Sequence, residues 1–308
     1  MVIAVDNGNK QTKSRNAIFT SGFEVTSTKP GFGTGILEYN GMYYILSNKR
    51  KGYLRDKTQS EDCFILTLFA IAQELKARGV RSGSPVATGI TLLVGLPPAH
   101  YGAQYKAFTQ YFLNRGPLTI TLDGYQYRIR IDECYCYVQA FAAMMKAYGE
   151  IRKLSDAIVL DIGGFTADYL PVTAGVPSVS DCGSLDYGVI KLYNKIISRV
   201  NSEYDMLLTE DKVDAVLLDH QYDLPDEIVS MIDHTAAEYI DSLVSQMRER
   251  DIDLRSTSGV FCGGGAMLLD KYIRSNPRIG HNALVINDVK ANVYGYELLY
   301  KQSHPAMV

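Results

Sequence analysis

Tryptophan is absent from the 308-residue chain, and cysteine occurs only five times. Cys63, Cys134, Cys136, Cys182 and Cys262 are scattered, odd in number and without metal-ligand spacing. That pattern argues against a disulfide framework or a zinc site. Cys134 and Cys136 fall on one face of an expected strand, where they read as small packing side chains. There is no run of about 18 apolar residues, so no spanning helix is expected. Positive charge is not in excess either: 31 basic residues against 34 acidic ones leave a net charge of −3. Such a chain lacks the footprint for nucleic acid or an anionic membrane, and any DNA contact is expected to be indirect. None of His100, His220, His234, His281 and His304 stands beside a serine or cysteine in a nucleophile-like context. The chain enters a strand directly at Val2–Val5, leaving no room for a cleavable leader, and a cytoplasmic protein is expected. Low-complexity segments and Pro/Gly/Ser-rich linkers are also missing.

What is present is a phrase used twice, about half the chain apart. Val5-Asp6-Asn7-Gly8 leads into Gln11-Thr12-Lys13, and Leu160-Asp161-Ile162-Gly163-Gly164 leads into Phe165-Thr166-Ala167-Asp168. Each copy is an apolar strand, an Asp, and a Gly turn running into a Thr. Glycine lets backbone amides approach a phosphate closely, and the Asp can hold a cation. The repeat therefore suggests a duplicated α/β unit whose halves grip one anionic ligand, a nucleotide with magnesium.

Short strands and helices alternate along the chain, the pattern of helices packed on mixed sheets. In the first half strands are expected at 2–5 and 16–19. Asn40-Gly41 and Asp123-Gly124 are hairpin turns, joining 36–38 to 43–46 and 118–122 to 125–131. The apolar stripe Phe64, Leu66, Leu68, Ile71 and Leu75 predicts a helix over 59–77, stopped by Gly79. A buried strand at 90–94 runs into Gly95-Leu96-Pro97-Pro98 and a helix over 99–113; Val138-Gln139-Ala140 opens a helix running to Tyr148. In the second half strands are expected at 157–160, 167–171 and 178–182, and helices over 184–199, 210–219 and 225–250. A strand at 258–261 then enters Cys262-Gly263-Gly264-Gly265-Ala266 and a helix, and a strand at 283–286 precedes a closing helix over 290–300.

In this order the motifs resemble the superfamily of actin, sugar kinases and heat-shock chaperone ATPases. Asp6-Asn7-Gly8-Asn9 through Lys13 is similar to its first phosphate loop, Gln139-Ala140 to its first connector and Asp161–Asp168 to its second phosphate loop. Gly263-Gly264-Gly265-Ala266 resembles the adenosine motif, and Ala291-Asn292-Val293-Tyr294-Gly295 the second connector. Within the superfamily the chain most resembles plasmid-segregation actins of the ParM/StbA type, with a weak stretch between about residues 203 and 252. The resemblance implies an actin-like (ribonuclease H-like) duplicated fold with a nucleotide cleft between mixed sheets. Its first domain would span 1–153, completed by a C-terminal helix over 288–308, and its second 154–287.

The resemblance also implies ATP, with GTP left open, and Mg2+ held by Asp6 and Asp161 through water. Gly8, Asn9, Lys10, Thr12 and Lys13 would bind phosphate from one side, and Gly163, Gly164, Phe165, Thr166 and Asp168 from the other. Gly263, Gly264, Gly265 and Ala266 would contact adenosine. Phosphoryl transfer to water needs positioning and charge neutralisation above all. Gln139 occupies the place of the water-positioning glutamine, with Glu133 as the competing candidate. A neutral amide is a poor base, so slow turnover is expected. The family assembles head to tail into filaments that move DNA through an adaptor protein, and a heterologous contact that does not close gives such a polymer. Candidate contact regions are the Tyr39–Tyr44 hairpin, the helix after Pro98 and the tyrosines near Tyr239. The alternative is a small-molecule kinase, which would need an Asp base where Gln139 stands.

Overall fold

The computed structural model describes residues 1–281 and 283–305. The chain divides into two compact units, one of Met1–Ala142 with Asn292–Val308 and one of Ala143–Ala291. Residues 306–308, at the end of the expected closing segment, lie outside the described residues.

The first unit is built on nine strands in the order β3-β2-β1-β7-β9-β8-β5-β6-β4. These are β1 (Val2–Asn7), β2 (Gln11–Ser14), β3 (Ile18–Thr20), β4 (Phe23–Thr26), β5 (Ile36–Tyr39), β6 (Met42–Leu46), β7 (Thr88–Leu96), β8 (Leu118–Leu122) and β9 (Tyr125–Val138). β7 lies parallel to both β1 and β9. Its Ile90, Leu92, Leu93 and Val94 are wholly buried, as the apolar run of a central parallel strand requires. Asn40 and Gly41 take φ of 52° and 74°, and Asp123 and Gly124 take 49° and 85°. Two successive positive φ values are what a tight two-residue hairpin needs. Helix α1 (Asp62–Ala77) packs Phe64, Leu68, Phe69, Ile71 and Leu75 into the core, and Gly79 ends it at φ 68°. Along α2 (Pro98–Leu113), Phe108 and Phe112 are buried, and Tyr111 donates its hydroxyl to the Ser60 carbonyl at 2.8 Å. Helix α10 (Ala291–Ser303) returns to this unit, with Tyr296 stacked on Tyr137 at 5.8 Å.

The second unit carries strands β10 (Asp156–Ile162), β11 (Ala167–Thr173), β12 (Val176–Pro177), β13 (Gly183–Leu185), β14 (Ser258–Cys262) and β15 (Leu284–Val285). Their order is β12-β11-β10-β14-β15, with β13 also pairing β11. Helices α3 (Phe141–Met144) and α4 (Tyr148–Ile151) lead into it; α5 (Val189–Tyr204), α6 (Glu210–Leu217), α7 (Asp226–Arg248), α8 (Gly263–Leu268) and α9 (Asp270–Ser275) follow. Its core gathers Leu160, Tyr193, Ile196, Ile232, Ile240 and Phe261. Tyr239 is buried in it and donates its hydroxyl to the Tyr187 carbonyl, which removes this tyrosine from the candidate contact regions.

Several boundaries differ from expectation for local reasons. The helix expected from 138 to 148 begins at Phe141 and breaks into α3, a 3-10 turn at Met145–Ala147, and α4. Residues 178–182 are not a strand, because Ser178 donates to Asp181 at 2.5 Å and forms a local loop. Helix α5 starts at Val189, since Gly188 is extended at ψ 163°.

Candidate functional site

The repeated phrase forms two hairpins of the same plan. In β1–β2, Asp6 is paired with Lys13 and Asn7 with Thr12. In β10–β11, Asp161 is paired with Asp168 and Ile162 with Ala167. Each turn then closes on a glycine two residues after the Asp. A Cβ on Gly8 would stand 2.6 Å from the Gln11 carbonyl oxygen, and one on Gly163 would stand 3.3 Å from that of Thr166.

Asp6 is buried at the end of β1. Its Oδ1 accepts from Gln139 Nε2 at 2.8 Å, and the Lys13 ammonium lies 3.8 Å from Oδ2. Gln139 is buried too, and sits on the turn that follows β9 rather than in a helix. Its amide still extends the ladder to Leu96 O at 2.9 Å. Glu133 lies six residues back along β9, roughly 20 Å at strand spacing, where Thr91 donates to it at 3.2 Å. The structure thus joins Asp6, Lys13 and Gln139 and leaves Glu133 apart.

Other positions in this hairpin behave differently from expectation. Thr12 is wholly buried, and its hydroxyl shares a 3.0 Å hydrogen bond with Ser21, so it faces the interior rather than a phosphate. The Lys10 carbonyl accepts the Ser21 amide at 3.0 Å, and Ser21 Oγ donates to the Gly8 carbonyl at 2.5 Å. Gly8 and Asn9 line a small pocket with Ser21, Lys51 and Lys57, and the Lys57 ammonium donates to the Asn7 carbonyl. Asn7 Nδ2 donates to Thr67 Oγ1 at 3.0 Å, and Thr67 in turn donates to the Cys63 carbonyl at 2.8 Å. Below them Glu74 accepts from Ser14 Oγ at 2.7 Å and from the Asn16 amide at 2.6 Å. Arg78 pairs with Glu74 at 2.9 Å. Burial works against ionisation of Glu74, yet these donors hold its carboxyl below the usual range.

The second hairpin rests on backbone. The carbonyls of Gly163, Gly164 and Phe165 accept from the amides of Val189, Ile190 and Gly188 at 3.1, 2.9 and 2.9 Å. In a trans peptide the C=O and the following N–H point opposite ways, so the amides of Gly164, Phe165 and Thr166 are turned away from α5. The Gly163 amide, expected to face phosphate, instead donates to the Thr166 carbonyl at 2.8 Å. Thr166 Oγ1 donates to Asp168 Oδ2 at 3.1 Å. Gly188 makes the docking possible: a Cβ there would lie 2.2 Å from Gly164 O. Asp161 is buried beside Gly263, whose φ is 87° and whose added Cβ would stand 2.3 Å from Asp161 Oδ1. Gly265 is equally constrained, with Ile162 Cγ2 2.5 Å from its absent Cβ, whereas Gly264 faces open space. Ala266, expected to contact adenosine, is wholly buried in the core.

Ser21, Thr67, Glu74 and Gly188 escaped sequence reasoning, and Asn292 was placed only within the second connector, without its bond to the Ala140 amide. Thr67 and Glu74 did carry a signal, being polar residues inside the buried span of α1. Gly188 carried another, as a glycine within an expected helix.

A family model described as archaeal actin homologue MreB-like, C-terminal, matches residues 159–275. An archaeal actin homologue, Ta0583, solved in complex with ADP, superposes with a TM-score of 0.74 at 19% identity, over 98% of this chain and 99% of that one. A 15-stranded ParM filament from Clostridium botulinum superposes with a TM-score of 0.74 at 18% identity, over 98% and 99% of the two chains. An AlfA filament bound to AMPPNP gives a TM-score of 0.62 at 17% identity, over 100% and 98%. No curated protein matches the chain by sequence. The fold is that of the actin-like proteins, a mixed-sheet α/β architecture shared with Ta0583 and ParM across nearly the whole chain.

Proposed function

We propose that this chain is an actin-like ATPase that binds ATP with Mg2+, assembles head to tail into filaments, and moves plasmid or phage DNA through a DNA-binding adaptor protein in the cytoplasm. The observation that carries the reading is the bond from Gln139 Nε2 to Asp6 Oδ1 at 2.8 Å. A carboxylate only accepts, so this bond fixes the Gln139 amide with its nitrogen toward Asp6. Its Oε1 is thereby left to accept a hydrogen from an attacking water. The amide orients that water without taking its proton strongly, which suits slow hydrolysis.

The two glycine turns serve the phosphates. Gly8, Asn9, Lys10 and Lys13 do so in the first unit; Gly164, Phe165 and Thr166 present amides in the second, with Gly163 and Asp168 shaping the turn. Gly263 and Gly265 allow the close packing around Asp161, and the open space at Gly264 suits a base or ribose. The donor types suit a hydrated magnesium ion: Asp161 is a buried carboxylate packed against Gly263, and Asp6, already holding an amide and an ammonium, would reach a metal through water. When bound, the ion neutralises charge on the β- and γ-phosphates. Filament-forming neighbours, ParM and AlfA, support self-assembly.

The test is sedimentation and light scattering with ATP and Mg2+, with phosphate release measured in parallel. Polymer that appears with nucleotide and decays as phosphate is released is expected. Absence of both polymer and acceptor-independent phosphate release would discard the reading. Gln139→Ala should leave nucleotide binding and assembly intact while slowing phosphate release by about 100-fold.

A further inference from the structure

We infer that Asn292 is a positioning residue for Gln139, holding the strained turn from which that side chain reaches Asp6. The inference rests on the hydrolytic role proposed for Gln139. Beyond Val138 the chain reverses within three residues: the Phe141 amide donates to the Gln139 carbonyl at 2.7 Å, around Ala140 at φ 63°. A hydrogen bond from residue i+2 to i about a positive φ is the rare, strained form of the γ-turn. A residue with a Cβ persists there only when its surroundings impose it.

The surroundings are three residues within about one turn of α10, Asn292, Gly295 and Tyr296. Asn292 Oδ1 accepts the Ala140 amide at 3.2 Å, and both residues are buried. Gly295 brings the helix backbone against Ala142, where a Cβ would stand 1.9 Å from the Ala142 carbonyl oxygen. Tyr296, stacked on Tyr137 at the end of β9, fixes the same stretch of helix to the strand that delivers Gln139. Asn292 therefore supplies the side-chain bond that ties the centre of the turn to α10. Without it, Ala140 can relax toward negative φ, and the Gln139 side chain swings off Asp6. Asn292 needs no contact with nucleotide to exert this effect.

The experiment uses the full chain at saturating ATP and Mg2+, with phosphate release, nucleotide affinity and thermal midpoint measured for each variant. Asn292→Ala is expected to slow phosphate release by about tenfold or more with nucleotide affinity little changed. Asn292→Asp, which keeps the accepting oxygen, should retain most of the turnover. The decisive readout is the cycle with Gln139→Ala: the double variant should release phosphate no more slowly than Gln139→Ala alone, because nothing remains to be positioned. Losses that multiply, or wild-type release in Asn292→Ala beside slow release in Gln139→Ala, overturn the inference and leave the role of Gln139 standing. Wild-type release in Gln139→Ala overturns that role and the inference together. If Asn292→Ala does not fold, Asn292→Ser, too short to reach Ala140, completes the same cycle.

Discussion

The hairpin around Asp6 is held by side chains, and the hairpin around Asp161 is held by backbone. Beneath the first, α1 contributes Thr67 to Asn7 and Glu74 to Ser14 and Asn16, while Ser21 closes over Gly8. Beneath the second, three successive carbonyls dock on the amides that open α5, with Gly188 providing the clearance. The same turn has thus been built from two different kinds of anchor. Side-chain anchors depend on particular residues and on their ionisation; backbone anchors depend on the absence of a side chain and are indifferent to pH.

That contrast can be broken from either side. Glu74→Ala removes the acceptor of a buried network and should cost about 4 kcal/mol in chemical denaturation, with the loss centred on the first hairpin. A cost below about 1 kcal/mol would mean that Glu74 is not the anchor. The same group gives an acid signature. Its folded pKa is depressed, so its contribution is full above the ordinary Glu pKa of about 4.3 and is lost as pH falls through the lower folded value. Stability against pH should therefore drop on the acid side, and Glu74→Gln should flatten that drop. Gly188→Ala, forced against Gly164 O, is expected to cost about 3 kcal/mol and to weaken nucleotide binding, with little change in the acid limb. An acid limb altered as much as by Glu74→Gln would erase the distinction. Thr67→Val is the mildest probe, removing the acceptor of Asn7 for about 1 kcal/mol, read as faster hydrogen exchange in the first hairpin.

The same distinction explains what could be read from the sequence. Glycine motifs and two-residue turns announce backbone geometry directly, so the Asp161 loop, the Gly263–Gly265 segment and both Asx-Gly hairpins were legible. Strand β2 was hidden, because its inward residues are Thr12 and Ser14, polar groups satisfied only by partners far along the chain. Inward polar residues erase the alternation by which a strand is recognised. Gln139 could be placed by resemblance, but its turn could not: the amide of Ala140, at positive φ, is bonded to Asn292, 152 residues away. Gly188 was misread because helical periodicity on either side outweighed a single glycine.

The missing tryptophan, set against 22 tyrosines, gives the molecule an optical handle of its own. Burial pushes the Tyr111 and Tyr239 phenols well above their ordinary value. Their share of stability is complete below the ordinary phenol pKa of about 10 and fades as alkalinity rises beyond it. Phenolate absorbance with no indole background should rise in two stages under base, exposed rings first and these interior rings only as the core opens.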